Sequence, residues 1–155
     1  MSDTPDEIGT EEIVAWRGLD IRRRAGRVQL VSHTNRNFVW QPDRWTVARC
    51  WRVDKPGHIA PMWDCTCGLY AARSRELFED EFAAYGQPNS RDDPTIIAQV
   101  GLSGKVVVSK HVYRAQQGRV MGLYVSHIFW RLVEPLQITY RVPVSLFNPF
   151  DVEGR

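Results

Sequence analysis

The chain has 155 residues, 43% of them hydrophobic, which suffices for one sizeable buried core and does not call for two independent ones. The formal net charge is +2, and no run approaches the roughly 18 consecutive apolar residues of a transmembrane helix. The N-terminus is acidic where a secretory signal peptide is basic and then apolar, so we expect a soluble, cytoplasmic protein. Three cysteines are an odd number for a reducing compartment, which argues against disulfides and leaves metal ligation or burial.

Charge is unevenly distributed along the chain. Residues 1–12 carry five acids and no base, and we expect a disordered acidic arm there. Residues 16–58 carry ten arginines or lysines against three acids, an excess suited to attract a polyanion. We predict one β-rich domain over residues 13–145 and a C-terminal tail over residues 146–155.

The first two strands are predicted from short apolar runs. IVAWRGLDI, from residue 13, and RVQLV, from residue 27, indicate two strands joined by a turn. Gly18, Gly26 and the Arg22–Arg24 cluster interrupt the apolar pattern.

A third strand is predicted over residues 45–53. Its apolar side chains share one parity and are expected to face the core; they are Trp45, Val47, Trp51 and Val53. The following Asp-Lys-Pro-Gly segment, residues 54–57, predicts a turn that brings His58 back toward Cys50.

One helix is predicted, over residues 74–85. Ser74 can cap it, Glu76 suits the positive N-terminal end of the helix dipole, and Gly86 with Pro88 ends it. Its apolar face consists of Leu77, Phe78, Phe82 and Tyr85. We expect no other helix.

Beyond a polar loop at residues 87–94, the second half is predicted to be an antiparallel meander. Three β-rich runs are separated by Ser103-Gly104 and by Gln116-Gln117-Gly118. A last strand is predicted over residues 136–144, because apolar and polar residues alternate, and Pro143 suggests an edge or a strand end. The predicted fold is mainly β (α+β): a small antiparallel barrel or sandwich with one helix after the Cys/His loop.

The residues that point to chemistry are Cys50, His58, Cys65 and Cys67, spaced C-x7-H-x6-C-x-C. Thiolates and neutral imidazole are the ligands that zinc prefers, and four of them close a tetrahedral structural site. Chelation by the Cys-x-Cys pair needs a tight turn, which Gly68 permits. Two alternatives stay open: the cysteines are separately buried hydrophobes beside an ordinary loop histidine, or one of them is a reactive thiol.

Arginines and tryptophans suggest a second kind of site. Four of the six tryptophans lie within 24 residues that also carry several arginines, an arrangement used to bind single-stranded nucleic acid; they are Trp40, Trp45, Trp51 and Trp63. The alternative is that these tryptophans fill the core. Arg22, Arg23 and Arg24 are better candidates for a phosphate contact, unless they form a solvated turn.

Several short segments, in order along the chain, resemble a group of small actinobacterial and actinophage proteins of unassigned activity. The group carries a Cys-x-Cys-Gly-[Ile/Leu]-Tyr-Ala signature and a later Gly-Tyr-Arg-Ala. The matching segments run from residue 15 to about residue 125 and are Ala15-Trp16-Arg17, Trp40-Gln41-Pro42, Ala48-Arg49-Cys50, His58, Ala60-Pro61, Cys65–Ala71, Val100–Val106 and Tyr113-Arg114-Ala115. The chain differs in carrying Val112 where the group has glycine, and in a longer C-terminal run. The resemblance supports the shared Cys/His pattern and implies no reaction.

Arg114, within the last of these segments, has two interpretations. It can anchor a carboxylate or phosphate that faces the Cys loop, or it can pair with an internal acid.

Taken together, these patterns predict a non-enzymatic binding or adaptor module stabilised by a structural zinc ion. Its partner would be a protein or a nucleic acid docking on the basic first half, and no membrane partner is expected. The alternative is an enzyme that uses Cys65 or Cys67 with His58, or a zinc ion with an open coordination position. The sequence contains no phosphate-binding loop, G-x-S-x-G elbow or H-E-x-x-H motif that would support an enzyme.

Overall fold

The computed structural model describes residues 4–7, 12–33, 35, 37–50, 57–62, 64–84 and 95–147. Within these ranges the chain forms nine strands, two α-helices and one 3₁₀ helix. In chain order they are β1 (Thr4–Glu7), β2 (Ile13–Arg24), β3 (Arg27–Val31), β4 (Val39–Trp40), β5 (Thr46–Val47), β6 (Leu69–Ala72), α1 (Arg75–Ala84), β7 (Thr95–Val108), β8 (Val112–Ser126), the 3₁₀ helix His127–Leu132, α2 (Val133–Tyr140) and β9 (Val144–Phe147).

The strands form one sheet with the order β1-β7-β8-β6-β2-β3-β4. An additional antiparallel pairing between β7 and β2 turns the strands β7, β8, β6 and β2 into a ring, while β5 and β9 both pair with β8. The β2–β6 contact is a single pair, Trp16 opposite Ala72, so the ring is not a regular barrel. The prediction of a mainly β fold with a helix after the Cys loop is confirmed.

The two longest strands, β7 and β8, are an antiparallel pair that supplies much of the core. The predicted breaks do not separate strands: Ser103-Gly104 lies at a register shift inside β7, and Gln116–Gly118 lies inside β8. The reversal occurs between Val108 and Val112, where the Ser109 N–H donates to the Val112 carbonyl over 2.9 Å. A bulge can absorb a glycine without ending a strand, which is why the Ser-Gly signal did not mark a turn.

Part of the predicted acidic arm belongs to the sheet. Thr4–Glu7, as β1, pairs antiparallel with Lys105–Val108 of β7. Toward the C-terminal end of β7, the last residue that pairs with β2 is Leu102, so β1 occupies a stretch of β7 that β2 leaves uncovered. The other residues of the arm before Glu12 lie outside the described ranges.

The predicted strand over residues 45–53 is wrong in length and in the face that it buries. Among residues 45–50, which the structure describes, only Thr46–Val47 forms a strand, and Trp51 and Val53 lie outside the described residues. Thr46 and Ala48 are buried, whereas Val47 is 53% exposed. The Thr46 hydroxyl accepts the Gln41 N–H over 2.7 Å, so this buried polar atom has an internal partner. The buried side of the strand is therefore the one that carries the small residues Thr46 and Ala48.

The predicted last strand is also wrong, because most of it is α2. Leu136 and Tyr140 are buried and four residues apart, so they share one face of a helix, while Ile138 between them is 67% exposed. Pro135 lies in the first turn, where its missing N–H costs no intrahelical hydrogen bond. The helix ends at Arg141, whose φ is 54°, and the chain then forms β9, parallel to β8.

The helix α1 begins as predicted. The Ser74 hydroxyl accepts the Leu77 N–H over 3.1 Å, and Phe78 is buried. The predicted helix end at Tyr85–Pro88 lies outside the described residues. No helix in the described part of the chain has the length and apolar character needed to cross a membrane.

Tyr140 joins α2 to the edge of the sheet. Its hydroxyl donates to the Trp40 carbonyl over 2.7 Å and accepts the Leu30 N–H over 2.8 Å, and its side chain is 2% exposed. Burial raises the pKa of Tyr140 to about 12, with the Leu30 N–H opposing part of this effect. The hydroxyl is therefore held protonated between β3 and β4.

We expect Tyr140→Phe to lower the free energy of unfolding by about 1–3 kcal/mol at neutral pH, because it leaves two buried backbone groups without a partner. The native pKa exceeds the ordinary value of 10.0, so the unfolded chain loses this proton first and wild-type stability falls between pH 10 and 12. Urea titrations should show the gap between wild type and variant shrinking above pH 10. Tyr113→Phe, at a half-buried tyrosine, is the control; an equal loss there would contradict the prediction.

Candidate metal centre

The first ligand of the predicted site, Cys50, follows β5. The backbone continues the pairing with β8 past the strand, since the Ala48 N–H donates to the Gln116 carbonyl over 2.7 Å. Cys50 itself lies beyond the strand and is half-buried. Asp54–Pro56 lie outside the described residues, but Gly57 has a φ of +82°, the left-handed conformation that the predicted turn requires.

Cys65 and Cys67 lie in a tight turn immediately before β6. The Cys65 N–H donates to the Met62 carbonyl over 3.1 Å, and the Tyr70 hydroxyl donates to the Thr66 carbonyl. Gly68 follows with a φ of +125°, and a Cβ there would lie 3.0 Å from the Cβ atoms of both Arg114 and Pro61. Only glycine suits this position, and the turn allows both thiols to face the same side.

The structure brings Cys50, His58, Cys65 and Cys67 together. Their ligand atoms all lie within 4.8 Å of one another. The Cys50 and Cys65 Sγ atoms are 3.7 Å apart, and His58 Nε2 is 3.2 Å from Cys67 Sγ. Zinc–sulfur bonds of ~2.3 Å in a tetrahedral site place two sulfurs about 3.5–4 Å apart. The cluster can therefore hold a metal ion with little rearrangement.

The protonation of the cluster is uneven. Burial raises the pKa of Cys65, but hydrogen bonds from the Cys67 N–H and from the neighbouring thiols outweigh it and lower the pKa to about 7. Burial also raises the pKa of Cys67; the Met62 N–H opposes this, the Cys65 thiol adds to it, and the pKa is about 11. Negative charge on one sulfur therefore disfavours charge on the next, and a bound cation would remove that repulsion.

Arg114 lies in β8 directly beside this loop. Its register partner in β6 is Tyr70, and its side chain is 3% exposed. One nitrogen, Nη1, donates to the Met62 carbonyl over 3.1 Å, to the Cys67 carbonyl over 3.0 Å and to the Cys65 carbonyl. Backbone carbonyls are partners that neither sequence interpretation of Arg114 named. The sequence signal for Arg114 was its place in the Tyr113-Arg114-Ala115 segment, which did not point to backbone carbonyls as its partners.

The other predicted contact residues lie elsewhere. Arg22, Arg23 and Arg24 belong to β2 opposite β3, and they are not part of the Cys/His cluster. Trp40 is 0% exposed and cannot stack on a base, which agrees with a core role. Trp45 is half-buried, with the Arg119 guanidinium 5.5 Å from its ring centre. Trp51 and Trp63 lie outside the described residues.

Comparison with known proteins gives no assignment. No protein-family model, no curated protein and no solved structure matches the chain. The resemblance to small actinobacterial and actinophage proteins therefore stays a prediction.

Proposed function

We propose that the protein is a non-enzymatic binding module in which Cys50, His58, Cys65 and Cys67 hold a structural zinc ion. The observation that carries this proposal is the convergence of four ligand atoms within 4.8 Å of one another. Four protein ligands complete a tetrahedral shell, whereas catalytic zinc sites keep one position open for water or substrate.

The donor set favours zinc over other cations. Three thiolates and one imidazole are soft or borderline ligands, while calcium and magnesium require oxygen ligands. The Cys₃His combination is one of the standard structural zinc sets. A zinc ion with these ligands carries one net negative charge, and the buried Arg114 guanidinium beside the loop compensates it.

The ion would connect segments that the sheet leaves loosely joined. Cys50 ends the β5 segment, His58 lies in the connecting loop, and Cys65 with Cys67 leads into β6. Among the described elements, β5 is a strand of only two residues. A shared metal would hold this short strand and the loop against β8, because the few hydrogen bonds of a two-residue strand contribute little stability by themselves.

Metal analysis of the purified protein tests the proposal, with one zinc per chain expected. His58→Gln should reduce zinc retention during dialysis against a weak chelator, because one ligand is lost. His111→Gln is the matched control, since His111 lies exposed in the β7–β8 turn. A folded protein without bound metal, or equal zinc content in both variants, would contradict the proposal.

The alternative is a cysteine enzyme, favoured by one observation: His58 Nε2 lies 3.2 Å from Cys67 Sγ, within reach for a thiol–imidazole pair. The two functions differ in their response to iodoacetamide. A structural site predicts that zinc protects all three cysteines and that chelation exposes them together. Rapid alkylation of Cys67 alone in the metal-loaded protein would favour the enzyme.

A further inference from the structure

The β2–β3 hairpin extends beyond the strand that pairs with its base. The ladder runs from Asp20 opposite Val31 to Arg24 opposite Arg27, while the pairing of β2 with β7 ends at Asp20. At about 3.3 Å per residue, the four outer pairs reach about 13 Å past β7. Ala25 and Gly26 close the turn with φ values of 51° and 76°, the left-handed pair of a sharp two-residue hairpin turn.

The two faces of this hairpin differ. Ile21, Val28 and Leu30 are buried, so one face belongs to the core. The pairs Arg22–Gln29 and Arg24–Arg27 alternate with these residues and lie on the opposite face. The Arg22 Nε and Nη2 atoms donate to Gln29 Oε1 over 3.1 and 2.9 Å. The solvent-facing side therefore carries three arginines, of which Arg24 and Arg27 are exposed, and one glutamine, and Arg23 adds a third exposed cation near the tip.

The charges of Arg24 and Arg27 are not balanced within the described part of the chain. Residues 21–31 contain four arginines and no acid. Arg24 and Arg27 are exposed and directly opposite each other, and like charges at such positions destabilise a sheet. Neither arginine forms an ion pair with any residue that the structure describes. A bound polyanion would offset this repulsion, because its negative charges attract both guanidinium groups.

We propose that the solvent-facing side and tip of the β2–β3 hairpin bind duplex DNA. Arg24 and Arg27 contact phosphates, and the Arg22–Gln29 pair faces the base edges. The major groove of DNA, about 12 Å wide and about 8.5 Å deep, admits a two-stranded β ribbon. Arginine and glutamine side chains can each form two hydrogen bonds with the edge of a purine, arginine with guanine and glutamine with adenine.

The composition of the hairpin favours duplex DNA over three other polyanionic partners. Single-stranded nucleic acids are bound by aromatic stacking, and residues 21–31 contain no aromatic side chain. Membrane-surface segments insert apolar side chains, but the tip offers only Ala25 and Gly26. The major groove of double-stranded RNA is too narrow and deep for side chains to read.

Fluorescence anisotropy with the full-length, metal-loaded protein and a short DNA duplex tests this proposal across a range of NaCl concentrations. Arg24→Ala/Arg27→Ala should weaken binding about tenfold or more and lower the slope of log affinity against log salt by about 2, since two phosphate contacts are lost. Lys110→Ala/Arg131→Ala removes the same charge from exposed sites outside the hairpin and should leave both quantities nearly unchanged. Equal weakening by the two double variants would overturn the proposal.

Two further measurements decide the partner. Tighter binding to a single strand than to the duplex would overturn the proposal, as would binding to phosphatidylserine vesicles without binding to DNA.

A charge reversal separates binding from stability. Arg27→Glu should raise the midpoint of thermal unfolding while weakening DNA binding, because it places opposite charges across the hairpin. A fall of both would show that Arg27 supports the fold and would overturn the proposal. The hairpin proposal does not depend on the metal centre, and zinc content measured on the same samples separates the two.

Discussion

Chelation of the proposed zinc ion is expected to lower the free energy of unfolding by about 4 kcal/mol or more, the value that corresponds to free metal a thousandfold above its dissociation constant. The reason is that the unfolded chain does not hold Cys50, His58, Cys65 and Cys67 within 4.8 Å of one another, so metal binding stabilises the native state alone. Urea unfolding followed by tryptophan fluorescence, with and without a strong chelator, measures this loss.

Local measurements sharpen the expected result. Hydrogen exchange should increase first in residues 58–70, which the ion connects to the sheet, and less in the β7–β8 pair, which forms its own ladder. Cys50→Ser and Cys67→Ser should already have low stability and respond little to chelator, whereas His111→Gln should respond as the wild type does. If chelation removes the metal without shifting the unfolding midpoint, the metal is not structural.

Replacement of Arg114 by methionine is expected to lower the free energy of unfolding by about 3 kcal/mol or more, the largest effect after that of metal removal. The substitution leaves the carbonyls of Met62, Cys65 and Cys67 without their donor and removes a buried positive charge from beside the cluster. Zinc affinity should fall with stability, because the proposed ligand set carries one net negative charge that Arg114 compensates. Urea unfolding and chelator competition measure the two effects.

Two further variants separate charge from geometry. Arg114→Lys keeps the charge but has a shorter side chain, so it should recover zinc affinity better than stability. Arg73→Met is the matched control: Arg73 is exposed, donates to the Ser109 carbonyl and stacks over Tyr113, and its loss should cost about 1 kcal/mol or less. A similar cost for Arg73→Met and Arg114→Met would show that burial of Arg114 has no special effect.

The errors of sequence interpretation have a common physical origin. In residues 136–144, alternation and helical spacing select overlapping sets of apolar residues, and Leu136 with Tyr140 satisfies both. In residues 45–53 the tryptophans suggested the buried face, yet the small side chains of Thr46 and Ala48 occupy it. Both outcomes depend on neighbouring strands and helices, which local periodicity does not contain.

The sequence by itself determined the mainly β character, the capped start of α1 and the set of residues in the Cys/His cluster. These follow from local composition, because a cap, a turn glycine and a close spacing of ligands act over a few residues. The tertiary structure alone decided the ring closure through β2 and β7, the buried position of Arg114 under the loop and the outward face of the β2–β3 hairpin. The first two join residues far apart in the chain, and all three are set by packing and register rather than by local preference.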